Sequence, residues 1–152
     1  MPRFRVCRSF TVESGHMLSK HPEDCRFPHG HTRRVEVIVS AEALDARDMV
    51  VDFKALKLAV QQCIDQFDHR MAINSNDPLR ADIERIHPGS TVVFDNQDPT
   101  TEVMAAAIYE SVRSILAAGF LAEPHYLIPA ETLTLERIRV WETPTSWAEF
   151  GD

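Results

Sequence analysis

The stretch H-G-H-T-R-R-V-E-V-I-V-S-A, residues 29–41, alternates strictly between two faces. Its odd positions are His29, His31, Arg33, Val35, Val37 and Val39. Strand periodicity therefore puts two imidazoles, a guanidinium and three branched apolar side chains on one side. The segment from Phe4 to His16 does the same on its even positions: Phe4, Val6, Arg8, Phe10, Val12, Ser14 and His16. Gly15 marks a bulge or a strand end just before that histidine. If the two segments pair antiparallel, three imidazoles meet at one end of a shared apolar face.

Around this pair the chain reads as α+β. In V-V-D-F-K-A-L-K-L-A-V-Q-Q-C-I-D-Q-F-D-H, Asp52 is placed to cap a helix whose apolar positions are Phe53, Leu56, Val60, Ile64 and Phe67. A second helix opens at D-P-T-T-E-V-M-A, with Asp98 as N-cap, Pro99 at the first helical position and Glu102 in the first turn. Met104, Ile108, Val112 and Ile115 form its stripe and Gly119 ends it. Residues 70–97 read as a long loop in which T-V-V-F-D forms a short strand. T-L-T-L-E-R-I-R-V-W-E (132–142) is a strand, T-P-T-S turns the chain, and W-A-E-F adds a short final pairing. Helices packed on one face of an antiparallel sheet is the resulting plan.

The 152 residues, 44% hydrophobic and 26% charged, fit one soluble domain. A formal net charge of -7 argues against non-specific nucleic-acid binding, which needs a broad basic face. No apolar run reaches the roughly 18–20 residues that span a bilayer. The first ten residues lack the apolar core of a signal peptide, so a cytoplasmic location with no membrane partner is expected. Cys7, Cys25 and Cys63 are three and irregularly spaced, which predicts reduced thiols rather than a disulfide framework.

Three neutral imidazoles suit Zn2+, and a catalytic zinc keeps a fourth position open. His16, His29 and His31 are such a set; the bland alternative is a core histidine beside an H-G-H turn. Cys25 has three readings: a fourth ligand closing a structural site, a reactive thiol of lowered pKa, or an inert buried cysteine. Asp68-His69 is either a histidine favoured by a helix C-terminus or a carboxylate-oriented imidazole for proton transfer. Glu142 is either a solvated strand-end carboxylate or an acceptor for an amidine-like ring edge.

Taken in order, these residues resemble the 6-pyruvoyl-tetrahydropterin synthase / 6-carboxytetrahydropterin synthase family. The motifs that carry the likeness are the first strand ending at His16, C-x-x-x-H-G-H from Cys25, V-V-D-F, F-D-H at 67–69, P-T-T-E at 99–102 and W-E-T-P-T-S at 141–146. The resemblance implies zinc held by His16, His29 and His31, with Cys25, Asp68 and His69 as catalytic groups. It implies a pterin anchored by Glu142, with Thr100, Thr101 and Glu102 near the ring. The implied fold is the tunnelling fold, or T-fold: a four-stranded antiparallel sheet with two helices on one face. Barrels form by oligomerisation, typically as a homohexamer of two trimers with sites between subunits.

One such domain is expected over residues 1–152, with an inserted loop at about 72–97. The activity implied is that of a zinc-dependent lyase acting on 7,8-dihydroneopterin triphosphate. The short spacing from Cys25 to H-G-H looks like the 6-carboxy branch, which releases acetaldehyde and triphosphate on the route to queuosine. The alternatives are the pyruvoyl branch, a non-catalytic zinc- or pterin-binding oligomer, and another T-fold enzyme such as an aldolase or cyclohydrolase. Lys20, Arg26, Arg33 and Arg34 are basic candidates for the triphosphate, with solvated surface charge the reading for most of them.

Overall fold

Strand parity predicts a long antiparallel pair, and the computed structural model, which describes residues 2–152, contains it. Strands β1 (Phe4–His16) and β2 (His29–Ala41) run side by side with an unbroken register from Phe4 opposite Ala41 to His16 opposite His29. Their inward residues Phe10, Val12, Val35, Val37 and Val39 are buried, and the imidazole end closes the row. On the other face Arg34 lies over the Trp141 ring at 4.6 Å, in keeping with a polar outer surface.

Helix α1 (Phe53–Asp65) starts where expected, with the Asp52 carboxylate accepting from the Lys54 and Ala55 amides at 2.7 and 3.2 Å. It buries Ala55, Leu56, Ala59, Val60 and Ile64, whereas Phe53, at its first turn, is exposed. After β3 (Met71–Asn74), α2 (Arg80–Ile86) and β4 (Thr91–Phe94), helix α3 (Thr101–Ala118) buries Met104, Ala105, Ile108, Val112 and Leu116. Each fully buried aliphatic side chain contributes roughly 1.5–3 kcal/mol, so this stripe holds α3 to the sheet. Gly119 ends α3 with φ 80°. A β-carbon there would lie 2.9 Å from the Ala130 nitrogen, so a side chain is excluded twice over.

A hairpin of β5 (Phe120–Ala122) and β6 (Tyr126–Ile128) follows, then β7 (Thr134–Thr143) and β8 (Ser146–Gly151). Both α1 and α3 pack against one sheet face, as predicted, through the buried residues of β1, β2 and β7. A bulge where β7 passes Ile38 and Val39 lets both Leu135 and Ile138 point inward despite their opposite parity.

The sheet is larger than the four-stranded antiparallel expectation. Its order is β4-β3-β1-β2-β7-β8, with β3 and β4 added in parallel beyond β1. Only β1, β2, β7 and β8 form the antiparallel set. The supposed loop over 72–97 is thus largely structured, and it supplies a third helix, α2, that buries no residue. Four-residue strands carry too little alternation to declare themselves, and a parallel pairing needs no turn signal beside it.

Asp98 is not the N-cap of α3. Thr100 takes that role, its hydroxyl accepting from the Val103 amide at 3.2 Å. The Asp98 carboxylate instead accepts from the Ser19 hydroxyl at 2.6 Å, the Lys20 amide at 2.7 Å and the Asn74 side-chain amide at 3.0 Å. One buried group therefore ties the loop after β1, strand β3 and the entry to α3 together. Burial raises its pKa, but the bonds from Ser19, Lys20 and Asn74 outweigh that and hold the carboxyl below its usual range.

Replacing Asp98 with Ala leaves three donors without their acceptor. The expected loss is about 2–4 kcal/mol, read as a fall of roughly 5–15 °C in Tm by calorimetry. Asp24→Ala, at an exposed turn, serves as control and is expected to change stability by less than about 0.5 kcal/mol.

Candidate active site

The register places His16 directly opposite His29, with His31 two residues further along the same face. Their ring centroids are 4.5, 5.1 and 5.2 Å apart, and one nitrogen from each ring lies within 4.8 Å of the others. Two of the rings have fixed tautomers. A backbone carbonyl can only accept, so Nδ1–H of His16 donates to Pro99 O at 2.8 Å and Nδ1–H of His29 to Phe27 O at 2.7 Å. Each then carries its lone pair on Nε2, the arrangement in which a carbonyl orients an imidazole for a metal. Nε2 of His31 is buried and has no hydrogen-bond partner among the described residues.

Burial pushes the His16 pKa down to about 4, the Pro99 bond opposing it and the nearby Arg33 charge adding to it. Burial also lowers His31, with Arg33 in the same direction and Glu142 against it. Both rings are thus neutral at ordinary pH, which is the ligating form. Glu142 Oε1 lies 3.7 Å from Nε2 of His16 and 3.7 Å from Nε2 of His31. Three imidazole nitrogens within 4.8 Å of one another, two of them oriented by backbone carbonyls, are a donor set that fits a divalent metal.

Behind the rings stands Arg33, fully buried. Its Nη1 donates to the Thr101 hydroxyl at 3.0 Å, and that hydroxyl donates to Glu142 Oε1 at 3.1 Å. Arg33 Nη2 is 3.3 and 3.4 Å from the two ring nitrogens of His16, near-equal distances that place it against the ring rather than on one lone pair. Glu142 is the unpaired residue where the β7–β8 register slips between Trp141 and Thr143. Its even parity with Ile138 and Val140 turns it to the inner face.

A second polar group lies at the edge of β1. The turn after α1 returns so that Asp68 Oδ1 accepts from the Glu13 amide at 2.8 Å, while the His69 amide donates to Glu13 O at 2.6 Å. These bonds hold His69 at φ 56°, a left-handed conformation uncommon outside glycine. Its Nδ1–H meets Asp68 Oδ2 at 2.8 Å, and the ring is 79% exposed. The Glu13 amide and then His69 hold Asp68 below its usual range, and Asp68 raises His69.

The model of the family described as 6-pyruvoyl tetrahydropterin synthase matches residues 5–152. The chain belongs to this family. It is 28% identical to the 6-carboxy-5,6,7,8-tetrahydropterin synthase of Aquifex aeolicus, over 99% of both chains. Against the enzyme of the same name from Haemophilus influenzae it is 28% identical, over 98% of this chain and 99% of the other. An uncharacterized protein from Wolinella succinogenes superposes with a TM-score of 0.78 at 22% identity, covering 100% of this chain and 99% of that one. The 6-pyruvoyl tetrahydropterin synthase of Caenorhabditis elegans gives 0.65 at 20% identity, over 100% and 97%. At those identities the two structures share the fold.

The structure brings only some of the residues predicted from sequence together. His16, His29, His31, Thr101 and Glu142 are gathered at one end of the sheet. Thr100 is occupied as the cap of α3, and Glu102 is exposed in a groove with Phe94, Gln97 and Val103. Cys25, a half-buried free thiol on a single 3-10 turn (Asp24–Arg26), is not part of the three-imidazole group. The Asp68–His69 pair bonds to Glu13 and faces solvent. A cavity of about 420 Å³ lies away from all of these, between residues 41–52 and 125–133.

Arg33 corrects the surface-charge reading. Its odd position in β2, in line with His31 and Val35, is the sequence signal of burial, against the general tendency of arginine to be exposed.

The other thiols offer a check on local environment. Burial pushes Cys63 up to about 11 and also raises Cys7. Alkylation of Cys63 by iodoacetamide is expected to be slow at pH 7.5 and to quicken as pH rises toward 11, because the thiolate forms only there. Peptide mass mapping across that range measures it, and a flat pH profile would contradict the assignment.

Proposed function

We propose that this chain is a zinc-dependent 6-carboxy-5,6,7,8-tetrahydropterin synthase. It would convert 7,8-dihydroneopterin triphosphate and water to 6-carboxytetrahydropterin, acetaldehyde and triphosphate, in the biosynthesis of queuosine, a 7-deazaguanine. The observation that carries the reading is the convergence of three imidazoles on a face that also presents Glu142. The names of the curated relatives favour the carboxy branch.

His16, His29 and His31 would hold the zinc, each offering Nε2. Bound there, the metal supplies Lewis acidity toward the oxygens of the substrate side chain. Glu142 accepts hydrogen bonds from the 2-amino-4-oxo edge of the pterin and so sets which carbon of the side chain lies near the metal. Cys25 takes a side-chain proton as thiolate. His69, whose pKa is raised by Asp68, keeps its proton to higher pH than an ordinary imidazole and suits the donor's part.

The dyad is exposed, and the sheet ends in two open edges, β4 and β8, with Trp147 and Phe150 uncovered beside the latter. We infer that subunits associate edge to edge into a hexamer, which covers those edges and brings Asp68 and His69 of one subunit to the Cys25 loop of another. Among the described residues no helix is long and apolar enough to cross a membrane; a cytoplasmic location goes with the proposed reaction.

The test is incubation of zinc-loaded protein with 7,8-dihydroneopterin triphosphate, with products identified by mass. Acetaldehyde and a carboxylated pterin are expected. A pyruvoyl pterin without acetaldehyde would move the chain to the other branch, and no turnover would overturn both. Cys25→Ala is expected to keep one zinc per chain and lose turnover by about 10²-fold or more. Loss of zinc with that variant would make the site a closed structural one. His31→Ala is expected to abolish stoichiometric zinc binding, measured by elemental analysis.

A further inference from the structure

Arg33 heads the fully buried side chains by volume, yet the Nε of its guanidinium has no partner among the described residues. Burial lowers its pKa and Glu142 opposes the shift. A triphosphate cannot reach it, since it is 0% exposed and lies behind the rings. What it touches is Thr101, the His16 ring and, at 3.9 Å, Glu142 Oε1.

The direction of the bonds decides what it does. A guanidinium only donates, so at 3.0 Å it occupies a lone pair of the Thr101 hydroxyl. The hydroxyl proton is then free only for Glu142 Oε1, 3.1 Å away. That contact fixes one carboxylate oxygen, and Arg33 Nη2 adds attraction to the same atom. No protein group bonds Oε2 among the described residues.

We propose that Arg33 is a positioning residue of the pterin site. Working through the Thr101 hydroxyl, it turns the Glu142 carboxylate so that Oε2 and the second lone pair of Oε1 meet the 2-amino-4-oxo edge of the ring. The inference rests on the proposed function, in that Glu142 is taken to bind a pterin. Arg33 makes the site selective for a ring edge with two donors over a 2,4-dioxo edge, which offers an acceptor in place of the 2-amino group.

The experiment measures equilibrium binding of neopterin and of its 2,4-dioxo counterpart to zinc-loaded protein by fluorescence. It compares wild type, Thr101→Val, Arg33→Gln, the double variant and Glu142→Ala, with zinc content determined for each. Loss of a hydrogen bond to a charged group predicts about tenfold weaker neopterin binding in each single variant. Binding of the dioxo ligand should change by less than about twofold, so the preference between the two collapses. The double variant should be no weaker than about the worse single one, because both act in one chain of bonds. Zinc content should stay at that of wild type.

Equal weakening of both ligands, with the preference intact, would make Arg33 merely structural and overturn the proposal. Unchanged neopterin binding in Thr101→Val and Arg33→Gln, with binding lost in Glu142→Ala, would also overturn it while leaving the pterin reading standing. Unchanged binding in Glu142→Ala would bring down the pterin reading itself. If Arg33→Gln fails to fold, Thr101→Val decides alone, since valine keeps the shape of threonine.

Discussion

Everything at this site depends on the register between β1 and β2. The two strands pair from Phe4 to His16 without a bulge, and side-chain direction alternates with a period of two. A slip of one residue would send His29, His31 and Arg33 to the outer face and bring Gly30, Thr32 and Arg34 inward. The same slip would expose Val35, Val37 and Val39, all less than 2% exposed as the strands stand. Three valines contribute roughly 1.5–3 kcal/mol each by burial, so the core's preference for one register is also what gathers the imidazoles. The chemistry rides on a hydrophobic constraint, and no loop has to be held in place to bring His16 to His29.

The second constraint is the short segment Asp98–Thr101. Asp98 collects donors from the loop after β1 and from β3, Pro99 orients His16, Thr100 caps α3 and Thr101 links Arg33 to Glu142. Four consecutive residues thus connect the helix layer to the three imidazoles and to the Glu142 carboxylate. Since α3 is seated on β7 by its apolar stripe, the packing of the helix fixes how far Pro99 O stands from the His16 ring. Core and site are one mechanical unit at this end of the sheet.

Much of this was legible in the sequence because it is periodic. Alternation over thirteen residues identifies β1, β2 and the face the histidines share, and Asp52 with its apolar spacing identifies α1. What was not legible lacks period. The strands Met71–Asn74 and Thr91–Phe94 are four residues each and pair in parallel, so the segment between Arg70 and Asp98 reads as loop. Asp98 looks like a cap because Asp-Pro before a helix commonly is one; long-range donors from Ser19, Lys20 and Asn74 claim it instead, and no local pattern announces them. The Asp68–His69 pair is joined in the structure, but its partner is the backbone of Glu13, fifty-five residues away in sequence for Asp68.

Arg33 shows how far stability and function diverge at such a site. Taking a guanidinium out of water costs several kcal/mol even after relaxation, and its nearest carboxylate is 3.9 Å off. An apolar side chain in line with Val35 would extend the core without that penalty, and buried ion pairs replaced in this way are often neutral or more stable. A charge at this depth is therefore unfavourable for the fold by itself. It becomes favourable once the whole site is counted: a carboxylate at Glu142, a hydroxyl at Thr101 that needs a donor to set its rotor, and imidazoles kept neutral in part by the same positive charge. Consistency across levels fails locally where a site demands it, and here the failure marks the residue tied through Thr101 to the Glu142 carboxylate.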